Sequence, residues 1–123
     1  MPVRSLSSSI LRWPDVQTVD RAIRSWATAA AQSRQEVRRI GYFGSYARGD
    51  WGVGSDLDVI IIVESSQQPF ERRGSAWDLS EFLVPVDVLV YTEKEWESLV
   101  QQGRFASSVL NEAVWVLVKQ ESS

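Results

Sequence analysis

The chain has 123 residues, with no cysteine, no histidine and a formal net charge of −3 at pH 7. A single core serves about 100–200 residues, so one domain over residues 1–123 is expected, without disulfides, thiolate metal sites or imidazole chemistry. Any bound metal must then be a hard cation held by oxygen, and the acidic balance argues against general nucleic-acid binding, whose affinity comes from neutralising phosphates.

Residues 1–12 are Ser-rich and weakly patterned, and read as a frayed lead-in. From about Asp15 to Arg34, Val16, Val19, Ile23, Trp26, Ala27 and Ala30 recur at spacings of three and four. That is the stripe of an amphipathic helix packed on a sheet, with Pro14 near its start. Val37 to Phe43 reads as a strand, and Asp56 to Val63 as a second. Between them lies GSYARGDWGVGS, a Gly-Ser turn, a short helix and a Gly-rich loop.

After the polar turn ESSQQ, Pro69 to Leu83 suits a helix, although Gly74 interrupts it. Val84 to Tyr91 (VPVDVLVY) is a β-branched third strand, with Pro85 tolerable near its beginning. Thr92 and Glu95 form a T-x-x-E capping box for a helix that Gly103 stops. A short helix from Phe105 to Asn111 follows, and Ala113 to Val118 is a last strand or a continuation of that helix. The order α-β-α-β-α-β-α-α-β predicts a small α/β or α+β domain, a mixed sheet flanked by helices.

Trp26, Trp77 and Trp96 fall on helix faces directed at the core, whereas Trp51, in the Gly-rich loop, is a candidate to stack on a base. The groups Arg34/Arg38/Arg39 and Arg72/Arg73 read as solvated surface. No sustained apolar run opens the chain, and none approaches the ~20 residues that span a bilayer. The expectation is a soluble, cytoplasmic protein without membrane association.

The chemistry concentrates in three acids. Residues two apart on a strand share a face, so Asp56 and Asp58 project together, continued by Ile60 and Ile62, while Leu57, Val59, Ile61 and Val63 line the opposite face. A strand apolar on both faces is a covered, central one, where ionised carboxylates need cations nearby. A bare D-x-D also fits a turn cap and an edge hydrogen bond. Asp87, between Val86 and Val88 on another strand, changes that balance: a third acid meeting the first two makes the ligand cup that two Mg²⁺ ions require. Gly44 and Ser45 offer close backbone approach and donors to a phosphate, or form an ordinary turn and N-cap. Arg48 can reach a phosphate or pair with Asp50.

Gly44-Ser45, ten intervening residues, and Asp56-Leu57-Asp58 reproduce a GS-x10-D-x-D pattern. With Asp87 as a third acid on a strand, the chain resembles the minimal nucleotidyltransferases (MNT) of the DNA polymerase β-like superfamily, over most of its length. The resemblance implies the nucleotidyltransferase fold and transfer of AMP from ATP to a hydroxyl, with pyrophosphate released. It assigns Gly44 and Ser45 to the β- and γ-phosphates, Asp56 and Asp58 to two Mg²⁺ ions, and Asp87 to the catalytic metal and the attacking hydroxyl's proton. Stand-alone members resemble the antitoxin of HEPN/MNT toxin–antitoxin pairs, which implies a HEPN-domain toxin as partner and a tyrosine on it as acceptor. A small-molecule hydroxyl as acceptor and inhibition by binding alone are the alternatives, and homo- or hetero-oligomers are left open.

Overall fold

The computed structural model describes residues 13–119, so the lead-in over residues 1–12 lies outside the described residues. Helix α1 (Val16–Ser33) begins at Asp15, whose carboxylate accepts a hydrogen bond from the Thr18 N–H at 2.9 Å. Such a cap satisfies one of the helix's orphan donors. Of the predicted stripe, Val19, Ile23, Trp26, Ala27 and Ala30 are buried, Val16 is only partly so, and Ala31 joins them.

Four strands form one sheet in the order β3-β2-β1-β4. They are β1 (Val37–Phe43), β2 (Leu57–Val63), β3 (Val86–Thr92) and β4 (Val114–Val118). Strand β1 runs antiparallel to β2 and β4, and β2 runs parallel to β3, giving the mixed sheet expected. Strand β2 is covered on both faces, as its unbroken apolar run requires. Leu57, Val59, Ile61 and Val63 pack in one cluster with α1, and Ile60 and Ile62 in another with Trp96, Ala106 and Val109. The latter three belong to α4 (Glu93–Gln102) and α5 (Arg104–Glu112), on the opposite face. Thr92 and Glu95 make the predicted capping box, and Trp26, Trp77 and Trp96 are all buried.

Residues 114–118 are strand, and the register explains the choice. Trp115 lies opposite Gly41, where a Cβ would stand 2.8 Å from the Trp115 ring. The indole fills the place of the missing side chain and packs edge-on against Trp96.

Two expectations are corrected. The helix over 69–83 shrinks to one turn, α3 (Phe70–Arg73), and a 3₁₀ turn over Gly74–Ala76. Trp77 leaves the helical path to pack on Trp26, ring centroids 5.9 Å apart, and the Trp26 Nε1–H donates to the Asp78 carbonyl at 2.8 Å. Burying two indoles outweighs a helix already weakened by glycine. Arg73, expected on the surface, is buried. Its guanidinium donates to the Gln68 and Val90 carbonyls and to both Glu95 oxygens, at 2.6 and 3.1 Å.

That fork ties α3 to β3 and α4, and holds the Glu95 carboxyl below its ordinary value chiefly by the Arg73 hydrogen bond. A depressed folded value means the stabilisation is present above the unfolded pKa and lost as pH falls through the folded one. Arg73→Leu is therefore expected to lower unfolding stability by about 2 kcal/mol at pH 7. In urea titrations the difference from wild type should shrink steadily below about pH 4.5, the ordinary value for Glu95.

Candidate active site

The site is built at one end of the sheet, where β1 ends and β2 and β3 begin. Strand β1 ends at Phe43, and the chain turns sharply at Gly44 (φ 78°, ψ −152°). Only glycine adopts that backbone region readily. A Cβ there would also strike the Asp58 carboxylate oxygen, Oδ2. Gly44 is thus fixed twice, by its backbone angles and by the close approach of an acid. The helix that follows, α2 (Ser45–Arg48), is a single turn, the short helix expected there.

Asp58 and Asp87 are direct neighbours in the parallel β2–β3 register. Leu57 pairs with Val86 just before them, and its N–H donates to the Pro85 carbonyl at 2.9 Å, which locks that register. Both acids share the sheet face of Ile60 and Ile62, since the alternate positions Leu57, Val59, Val86 and Val88 pack with α1. Asp56 sits one residue ahead of β2 and is exposed, as is Asp87, whereas Asp58 is half-buried. Burial pushes the Asp58 carboxyl up, and the negative charges of Asp87 and Asp56 push it the same way, against partial relief from Arg48. Asp58 therefore feels the charges of both other acids.

Ser45 lies beside Gly44, partly buried. Arg48 pairs with Asp50, Nε to Oδ2 3.1 Å, the alternative to a phosphate contact that the sequence had offered. Trp51 stacks on Tyr46, centroids 5.7 Å apart and 8° from parallel, which commits one face of its ring inside the protein.

One acid escaped the sequence reading. Glu112, the last residue of α5, accepts a hydrogen bond from the Gly44 N–H at 2.7 Å and pairs with Arg48 Nη1 at 3.3 Å through the same oxygen. No local pattern marks it. Its position follows from the β1–β4 pairing: Tyr42 opposes Val114, so continuing the antiparallel ladder by two residues sets Gly44 opposite Glu112.

The donor set is all oxygen, the kind that suits Mg²⁺, and a half-buried carboxyl raised by two neighbouring charges is one that a cation would relieve. Among the described residues no three acids are closed into a group that could hold an ion with the side chains as they stand. The side chains of Asp56 and Asp87 are exposed and make no hydrogen bond or ion pair among the described residues, so neither is committed to another group.

The nucleotidyltransferase domain family matches residues 25–116, most of the chain, and the chain belongs to that family. Over 57 residues it is 33% identical to "Putative protein adenylyltransferase MJ0141" of Methanocaldococcus jannaschii, a stretch covering 46% of this chain and 58% of that protein. The match thus spans little more than half the length of that curated relative. The fold is shared with the crystal structure of a "putative nucleotidyltransferase" from Sulfolobus solfataricus, at TM-score 0.61 and 17% identity, covering 85% of this chain and 84% of that one. A crystal structure of a toxin-antitoxin with AMP-PNP aligns at TM-score 0.50 and 16% identity, covering 79% and 74%. The resemblance carried by the Gly44–Asp58 spacing therefore holds at the level of family and fold. Among the described residues no helix is long and apolar enough to cross a membrane.

Two substitutions test this geometry. Gly44→Ala should lower unfolding stability by about 1–3 kcal/mol, the usual range for a forced backbone region, measured by chemical denaturation. Asp58→Asn should do the reverse at pH 7. Its folded pKa is raised, so ionisation opposes folding, and the penalty fades as pH falls through that raised value. The variant should melt about 2–5 °C above wild type at pH 7, with the gap closing in acid.

Proposed function

We propose that this protein transfers AMP from ATP to a tyrosine hydroxyl of a partner HEPN-domain toxin, and so acts as an antitoxin. The observation that carries the reading is the Asp58–Asp87 pair in register, with Asp56 just ahead of it and the Gly44–Ser45 turn alongside. A relative whose name is protein adenylyltransferase supports protein as the acceptor class. The fold shared with a toxin-antitoxin structure holding AMP-PNP supports the biological setting.

In this mechanism the Gly44 backbone and the Ser45 hydroxyl hold the β- and γ-phosphates. Asp56 and Asp58 would hold two Mg²⁺ ions, with Asp87 helping to hold one of them. The ions, when bound, lower the pKa of the attacking hydroxyl and neutralise the leaving pyrophosphate. Asp87, exposed at the sheet's edge, takes the proton of the attacking hydroxyl as it adds to the α-phosphorus, and the bond to pyrophosphate breaks in line. Exposure of Asp56 and Asp87 gives a large acceptor such as a folded protein access to that point.

The test is the intact mass of the protein encoded beside this one, after incubation with this protein, ATP and Mg²⁺. An AMP-sized gain is expected, abolished by Asp56→Asn. Asp87→Asn should slow the transfer about 10²–10⁴-fold, as expected for loss of a positioned base. Tight association without any gain in mass would overturn adenylyl transfer in favour of inhibition by binding.

A further inference from the structure

Glu112 occupies one of the donors that the proposed function assigns to phosphate, the Gly44 N–H. Its Oε2 takes the Gly44 N–H at 2.7 Å and lies 3.3 Å from Arg48 Nη1. The Glu112 side chain is 21% exposed and that of Arg48 49%, so the contact is made at the protein's edge, within reach of an incoming ligand. A single N–H directed at a carboxylate oxygen at that distance cannot also donate to a phosphate oxygen without bringing two anions into contact.

We propose that Glu112 is an internal competitor for the phosphate position of the Gly44–Ser45 turn, and that a nucleotide triphosphate binds only when Glu112 leaves the Gly44 N–H. The inference rests on the nucleotide-binding reading above and adds a residue that sets its affinity. Arg48 makes the exchange feasible. It is held by Asp50 on one side and Glu112 on the other, so it keeps a partner when the carboxylate moves and presents its freed N–H groups to the phosphates. Glu112 ends α5 and Ala113 is already extended, which places the moving side chain at a helix terminus rather than in the packed core. Bound nucleotide and docked Glu112 exclude one another, so the observed affinity is reduced by the fraction of molecules in the docked state.

The test is calorimetric titration of the full chain with AMP-PNP and Mg²⁺. Glu112→Gln keeps the shape and an acceptor for Gly44 but removes the charge, and is expected to bind about tenfold more tightly than wild type. Glu112→Asp, too short to reach Gly44 and Arg48 together, should also bind more tightly, and it keeps the inference testable if the Gln variant folds poorly. A residue that merely braced the turn would give the opposite result. Equal or weaker binding by both variants, with wild-type melting behaviour, overturns the inference and leaves nucleotide binding intact. Binding by all three proteins, tighter in the variants but without AMP transfer to the partner, upholds it while the adenylylation reading fails. Binding by none overturns both.

Discussion

The structure depends on covering both faces of β2. Seven residues, Leu57 to Val63, include six buried apolar side chains that point alternately to opposite sides, so neither face can meet water. At about 25 cal/mol per Å² of apolar surface removed from water, this strand dominates the core. Its demand is met by α1 on one side and by α4 with α5 on the other. Once those layers are in place, β2 has only one way to emerge, through its first turn, and the acids stand there.

That arrangement creates a local conflict that the fold tolerates. Asp58 is drawn toward the covered layer by the same alternation that buries Ile60 and Ile62, and the parallel register sets Asp87 beside it. Its carboxyl is raised by burial and by like charge, the reverse of what a stabilising surface acid shows. Conflicts of this kind mark candidate functional sites. Arg48 offsets part of the charge, yet it is shared with Asp50 and Glu112 and cannot neutralise the group.

The turn at Gly44 joins the two halves of the site. Its angles and its closeness to Asp58 leave no room for a side chain. The resulting contact sets the turn directly against the Asp58 carboxylate, while the Gly44 N–H is taken by Glu112. Farther away, the Arg73–Glu95 fork fixes α4 to β3 and so holds in place one helix of the layer lying over the acids' face of the sheet.

The sequence by itself determined the first three strands, the capping box at Thr92, the two-sided burial of β2 and the spacing of Gly44, Ser45, Asp56 and Asp58, with Asp87 on another strand. Each is written in local periodicity or in a fixed spacing along the chain, where neighbouring residues settle the outcome. Only the tertiary structure decided the fate of residues 69–83, of Arg73 and of Glu112. Trp77 abandons a helix because Trp26, far away in the chain, offers a better apolar contact. Arg73 is buried because Glu95 and two carbonyls surround it. Glu112 reaches Gly44 because β4 pairs with β1, and strand pairing is a long-range event that no local pattern encodes.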